Sequence, residues 1–265
     1  MIIGVFDSGV GGLTVLKELI RLHPGASYIY FGDTARLPYG SKSAQTVAKY
    51  AVSAARYLRQ HGAEMLVIAC NTATALALDQ IRHAVDVPVI GVVEPGADAA
   101  SRISQSQQVA VIATQATIGS HAYQRALAER GMVAHEKACP LLVPLVEEGW
   151  IEHPVTRQVA EIYLKEAFAA GAAKSDVLLL GCTHYPLLRS VLQSLVPAGV
   201  TIVDSAQSTA EAVAAQCDGK PATNKPNVPT QLKFFATDSV EKFCRLGQLF
   251  LGHPFTNVSH VDIEG

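Results

Sequence analysis

The sequence predicts an α/β protein built as two pseudo-symmetric parallel-sheet domains, with the active site in the cleft between them. Three observations carry that reading. Short apolar runs alternate with longer stretches of helical period along nearly the whole chain, the rhythm of βαβ units. The order of motifs in the first part of the chain recurs further along it. Polar residues stand repeatedly where an apolar run ends, and ligands of open parallel sheets bind beyond the carboxyl ends of the strands.

Taken in order, MIIGVF, SYIYFG, MLVIAC and PVIGVV are the first four strands, and residues 11–22, 42–61 and 72–84 supply the helices between them. Gly62 is the natural stop of the second helix, because glycine enters the left-handed conformation without steric penalty. From about residue 107 the plan begins again. QQVAVIATQAT repeats IIGVFDSG with Thr114 in place of Asp7, and VLLLGCTH repeats MLVIACNT with Cys182 in place of Cys70. VTIVDS repeats VPVIGVVEP with Asp204 in place of Glu94. The offsets of these pairs, 107, 112 and 110 residues, agree closely enough to indicate duplication of one unit. Beyond Cys182, Pro186 and LLRSVLQSL predict a helix. The last run, QLKFFATDSVEKFCRLGQLFL, predicts one more strand and helix. Assigned to the first half, it gives one domain of residues 1–97 plus 208–265 and a second of residues 98–207.

Apolar types make up 49% of the 265 residues and charged types 17%. The charged share lies below the roughly 25% of soluble proteins, so much of the chain belongs inside layered structure. With 21 basic and 23 acidic residues the net charge is −2, and neither sign forms a long run. That leaves no electrostatic footprint for nucleic acid or an anionic membrane, and the expected partner is a small molecule. No apolar stretch approaches the roughly 18 residues of a membrane span. MIIGVFDSG lacks the basic segment and cleavage site of a signal peptide. The cysteines at 70, 139, 182, 217 and 244 are odd in number and form no C-x-x-C pair, which speaks against a disulfide framework and structural zinc. A reducing cytoplasm is the expected location.

Asp7, Asp33, Cys70, Glu94, Thr114, Cys182 and Asp204 all fall at expected strand ends. If the halves face one another, these ends line one cleft from two sides, with Cys70 and Cys182 on opposite walls. A single cysteine closing an apolar strand is ordinarily packing. Its repetition changes that reading, and so do the residues next to each thiol. Asn71-Thr72 after the first and Thr183-His184 after the second mark helix starts, whose free N–H groups and dipole favour thiolate. Cys139, Cys217 and Cys244 lack this context and read as packing residues.

Asp7-Ser8-Gly9 followed by Val10-Gly11-Gly12 invites a dinucleotide reading, but the fingerprint G-x-G-x-x-G would place its last glycine at Thr14. The glycine-rich turn still offers N–H groups to a carboxylate. YGSKS lacks the upstream glycine of a Walker A loop. His184 has two readings: a cap for the following helix, or a proton exchanger for the adjacent thiol, since imidazole titrates near neutrality. Asp7 stands in the same relation to Cys70. Taken alone, Glu147-Glu148 reads as a solvated helix start and the PYG of residues 38–40 as a turn.

Two thiols on opposite sides of a substrate carbon have a specific use. One thiolate removes a proton from one face, the other thiol delivers a proton to the opposite face, and the configuration inverts. A cysteine hydrolase needs only one thiol and an activating histidine elsewhere. DSGVGGLTVL, FGDTARLPYGSKS, ACNTAT, PLVEEG and GCTHYPLL, in that order over essentially the whole chain, resemble the successive motifs of the glutamate racemases.

The resemblance implies cofactor-independent interconversion of L- and D-glutamate, the D-isomer serving bacterial peptidoglycan. It implies that Cys70 and Cys182 are the acid/base pair, that Asp7 and His184 assist them, and that Glu147 is a further acidic residue near the second thiol. Ser8, Tyr39, Gly40, Asn71, Thr72 and Thr183 would bind substrate beside Asp7 and His184, with Thr114 and Thr117 helping to hold it. A homodimer is implied as well. The residues agree with this chemistry: no lysine ends an apolar strand as an anchor for pyridoxal phosphate, and no metal-ligand spacing is present. A free thiol, with a pKa of about 8.5, is a poor base for a weakly acidic α-proton, so such a site must exclude water.

Some relatives carry an N-terminal extension associated with activation by a cell-wall precursor. This chain opens directly on its first strand, so the expectation is activity without that activator. The nearest alternative is an aspartate racemase, because two cysteines facing a cleft do not set substrate length. A single-cysteine hydrolase is another, and it predicts that one thiol is dispensable. Some relatives are reported to bind DNA gyrase, and nothing in this sequence marks a surface for that role.

Overall fold

A computed structural model of the chain describes residues 1–169, 172, 174–217 and 231–263. Among them, ten strands form two all-parallel sheets. The strands are β1 Ile2–Asp7, β2 Ser27–Gly32, β3 Met65–Ile68, β4 Val89–Gly91, β5 Gln108–Ala113, β6 Val133–Ala138, β7 Val177–Gly181, β8 Thr201–Asp204, β9 Leu232–Ala236 and β10 Val258–His260. The helices are α1 Leu13–Leu22, α2 Ala44–Gln60, α3 Asn71–Ala84, α4 Val93–Ile103, α5 Gln115–Gly119 and α6 Ala122–Ala128, followed by α7 Leu142–Glu147, α8 Pro154–Ala167, α9 Arg189–Gln193, α10 Ser205–Cys217 and α11 Val240–Leu251.

The first sheet runs β10-β9-β2-β1-β3-β4 and the second β6-β5-β7-β8. The second therefore repeats the order β2-β1-β3-β4 strand for strand, as the duplicated motifs require. Register repeats as well: Gly4 of β1 lies between Ile29 and Leu66, and Ala110 of β5 lies between His135 and Leu178. After β8 the chain returns to the first sheet, where β9 pairs with β2.

Strands β1–β5 and β7 bury both faces, which is why they read as unbroken apolar runs rather than alternating ones, whereas the edge strands β6 (VAHEKA) and β10 (VSH) are partly exposed and carry no such run. Odd and even positions divide between cores. Met65 and Val67 of β3, and Leu178 and Leu180 of β7, join one large core reaching both sheets. Leu66 and Ile68 face a core of the first sheet against α2 and α3, and Leu179 faces a core of the second against α4 and α6. Local signals delimit α2. Ser43 accepts the N–H of Thr46 at 3.3 Å as its N-cap, and Gly62 beyond it takes φ +94°.

The stretch after Cys182 departs from expectation. Tyr185–Leu188 forms a 3₁₀ turn, and α9 is only five residues long. Tyr185 and Leu188 are both fully buried, and three-residue periodicity stacks them on one side. The Tyr185 hydroxyl donates to the Cys139 carbonyl at 2.9 Å and pins the turn. No described helix is long and apolar enough to cross a membrane.

Candidate active site

A cavity of about 500 Å³ opens where the carboxyl ends of the two sheets meet. Ser8 after β1, Cys70, Asn71 and Thr72 after β3, and Tyr39 and Gly40 of the loop after β2 contribute from the first sheet. Thr114 after β5, Cys182, Thr183 and His184 after β7, and Glu147 and Glu148 at the end of α7 contribute from the second. Cys70 and Cys182 close equivalent strands, and both face this one space.

Their surroundings are unequal. Cys70 is the N-cap of α3: its sulfur accepts the Ala73 N–H at 3.4 Å, and its thiol donates to the Ser8 hydroxyl at 3.5 Å. Burial nonetheless pushes this thiol up to about 12, with the Asp7 carboxylate adding to the rise and the two hydrogen bonds opposing it. The helix start that the sequence offered as a thiolate stabiliser is present here but is outweighed. At Cys182 no such helix exists, and the neighbour is instead His184, whose Nδ1 lies 3.9 Å from the sulfur.

His184 Nε2 sits 3.2 Å from Glu147 Oε1, and Phe250 stands edge-on to the imidazole at 5.2 Å. Burial disfavours the imidazolium. The hydrogen bonds to Cys182 and Glu147, with their charges, overcome it and bring His184 up to about 10. Burial also works against the Glu147 carboxylate, but His184 and Lys242 hold it below its ordinary range. The reading of Glu147-Glu148 as a solvated helix start is thus corrected: Glu147 ends α7 and turns onto His184.

Asp7 lies behind the wall, fully buried. Its Oδ2 accepts the Gly9 N–H at 2.8 Å, and Oδ1 has no partner among the described residues. Burial raises its pKa, against the pull of His184 and the N–H groups of Gly9 and Gly12. Thr117 is also off the cavity surface. Its hydroxyl closes a triangle with Thr72 at 3.2 Å and Thr114 at 2.9 Å, while Thr72 and Thr114 are 2.9 Å apart. That triangle joins the two sheets, as does Tyr123, which donates to Asn71 Oδ1 at 2.6 Å. Gly11 lets the first sheet's loop reach the second: a Cβ there would stand 2.2 Å from the Thr183 hydroxyl.

Three other strand-end carboxylates face elsewhere. Asp33 receives the Tyr39 hydroxyl at 2.5 Å and Thr237 at 2.9 Å, bracing the loop that carries Tyr39 and Gly40. Glu94 belongs to the first turn of α4 and pairs with Arg130 at 2.8 Å, and Asp204 pairs with Arg189 at 2.5 Å. Conversely, Val143 of α7 and Lys242, Phe243 and Leu246 of α11 line the cavity without a mark in the sequence. Among the described residues no group of three or more His, Cys, Asp or Glu has the geometry to hold a metal ion.

Residues 3–213 match the family described as Asp/Glu/Hydantoin racemase. The glutamate racemase of Koribacter versatilis (strain Ellin345) is 59% identical, covering 100% of this chain and 98% of that one. A solved glutamate racemase isoform from Bacillus anthracis is 38% identical with a TM-score of 0.92, covering 98% of this chain and 97% of its own. Glutamate racemase from Francisella tularensis subsp. tularensis SCHU S4, solved in complex with D-glutamate, is 33% identical with a TM-score of 0.90 over 98% of this chain and 97% of its own. The likeness thus runs the full length of the fold that builds the two-thiol cavity, and the chain belongs to the Asp/Glu/Hydantoin racemase family, among its glutamate racemases.

Proposed function

We propose that the protein interconverts L- and D-glutamate without a cofactor, passing protons through Cys70 and Cys182 on opposite faces of the α-carbon, and so supplies D-glutamate for peptidoglycan. One observation carries this reading: two cysteines closing equivalent strands of two repeated sheets open into a single cavity. The solved relative holding D-glutamate supports the substrate.

In a turnover, the thiolate on one side takes the α-proton and the thiol opposite gives its own. Each sulfur ends in the protonation state in which the other began, so the reverse reaction is the same shift read backwards. The flanking groups suit the exchange. His184, held protonated into the alkaline range, gives the Cys182 sulfur a cationic partner, and Asp7 behind Cys70 is biased by burial towards its neutral acid. The buried Asn71 Nδ2 has no acceptor among the described residues, the signature of a donor kept for a ligand. Hydroxyls of Ser8, Thr72, Thr114 and Thr183 line the same space and suit the two carboxylates and the ammonium of glutamate.

The same reading assigns a cytoplasmic homodimer, which suits the odd number and wide spacing of the cysteines. It divides the chain into residues 1–97 plus 208–265 and residues 98–207, of which 170, 171, 173, 218–230, 264 and 265 lie outside the described residues. Sheet membership of the strands supports that division.

Cys70→Ser and Cys182→Ser are each expected to slow racemisation by on the order of 100-fold or more, the usual scale of a lost acid or base. Solvent deuterium should enter the α-position during turnover. Circular dichroism with glutamate and with aspartate separates the two racemase readings. Full activity in either serine variant would replace the two-base mechanism with single-cysteine chemistry.

A further inference from the structure

We propose that Lys242 is a positioning residue for the second thiol: reaching across the cleft from α11, it shares the charge of Glu147 and so sets how firmly Glu147 holds the imidazole beside Cys182. Its kinetic consequence rests on the racemase reading above, whereas its electrostatic core does not.

The geometry is a relay of four side chains from three elements. Lys242 Nζ lies 3.7 Å from Glu147 Oε2, Glu147 Oε1 lies 3.2 Å from His184 Nε2, and His184 Nδ1 lies 3.9 Å from Cys182 Sγ. One carboxylate therefore serves two cations with its two oxygens. The cations come from different sheets: α11 follows β9 of the first, and His184 follows β7 of the second. Among the described residues, Lys242 is the one lysine or arginine lining the cavity, where Glu147, Glu148 and Asp238 supply the carboxylates. Its side chain is 49% exposed, in contact with solvent.

The groups facing His184 fix the sign of the effect. Cys182 and Glu147 favour its charged form, the Asp7 carboxylate acts on it from behind the wall, and Phe250 contributes an uncharged ring edge. Lys242 acts in the opposite sense to Glu147. It repels an imidazolium directly and draws off part of the Glu147 charge that would otherwise hold it. Removing Lys242 must therefore raise the titration of His184. For a half-exposed pair of this length the expected rise is about half a pH unit.

The test is an NMR titration of the His184 ring in the full chain, comparing wild type with Lys242→Gln, Lys242→Arg and Glu147→Gln. His184 is expected to titrate about half a unit higher in Lys242→Gln and at the wild-type position in Lys242→Arg. In the double variant Glu147→Gln/Lys242→Gln the rise should shrink, because the carboxylate that transmits it is gone. The limb of the kcat/KM profile that disappears in His184→Gln should move with the ring titration. An unmoved His184 in folded Lys242→Gln, or a rise undiminished in the double variant, overturns the proposal. Absence of racemisation by the wild type would instead strike the function and leave the ring titration to decide this inference.

Discussion

At the scale of single residues, the two ends of the cavity hold opposite kinds of titrating group, and pH should separate them. Asp7 is a buried carboxyl whose folded pKa lies above its ordinary 3.8, so ionising it works against the fold. Below pH 3.8 it is neutral whether folded or not, and the destabilisation grows as pH rises through the folded value. Asp7→Asn is therefore expected to melt higher than wild type at neutral and alkaline pH, with the gain vanishing towards pH 3.8, while racemisation falls. Thermal melts across that range check it, and equal melting of both proteins in alkali would refute it. His184 has the reverse sign. Its pKa rises on folding from 6.5 to about 10, so it contributes stability that is fully present below 6.5 and is lost as pH rises through about 10. Glu147, held below its ordinary 4.5, contributes stability above that value and loses it as pH falls through the folded one. The pair thus supports the fold across the neutral range. Glu147→Gln should be less stable there and show a flatter decline from pH 6.5 towards 10, which denaturant melts at several pH values would reveal.

At the scale of elements, the cleft depends on turns that press backbone against the opposite wall. A Cβ on Gly11 would meet the Thr183 hydroxyl at 2.2 Å and His184 Nδ1 at 2.6 Å, and one on Gly40 would meet Thr114 Cβ at 2.8 Å. Gly11→Ala must displace His184 or its own loop, and is expected to lose about 1–3 kcal/mol of stability together with most of the turnover. Gly131→Ala is the control, since φ is +72° there and nothing lies within 4 Å of the added carbon. It should lose stability through backbone strain alone and keep its turnover. Equal kinetics in the two variants would show that the Gly11 loop yields. The same elements mark how far the site was legible in the sequence. Most strand ends were legible because both-sided burial writes β1–β5 and β7 as apolar runs, and the repeat of Cys70 at Cys182 placed both thiols; the partly exposed edge strands β6 and β10 gave no such run. Direction was not. Asp204 closes β8 and Glu94 opens α4 just beyond β4, yet each turns to an arginine, Arg189 or Arg130, that no local pattern pairs with it. Glu147, Lys242 and His184 come from α7, α11 and the end of β7, so their meeting depends on packing between distant segments. The 3₁₀ turn after Cys182 was hidden for a similar reason, because the carbonyl that pins it belongs to Cys139.

For the molecule as a whole, duplication of the sheets does not make two independent bodies. The largest core contains Val5, Leu16 and Val67 from the first sheet and its helix α1, and equally Ile112, Leu164 and Leu178 from the second sheet and α8. Helix α10 packs against both α1 and α4, carrying that core across the junction behind the cleft. Each wall of the cavity is therefore backed by apolar surface that the other half helps to bury, and neither half keeps its full core alone. Trp150, the single tryptophan, lies between α7 and α8 and reports on the second half, whereas far-ultraviolet circular dichroism reports on both. In urea the two signals are expected to share one midpoint. Leu16→Ala, a fully buried truncation in α1, should lower stability by about 2–5 kcal/mol. Because its core is common property, the Trp150 midpoint should fall as far as that of the dichroism, although Leu16 lies in the other half. A Trp150 transition that stays in place while the dichroism splits would mean that the halves unfold separately. The register of the two thiols would then depend on cross-sheet contacts such as the seam of Thr72, Thr114, Thr117, Asn71 and Tyr123, and Thr72→Val or Tyr123→Phe would become variants that misplace one sulfur against the other.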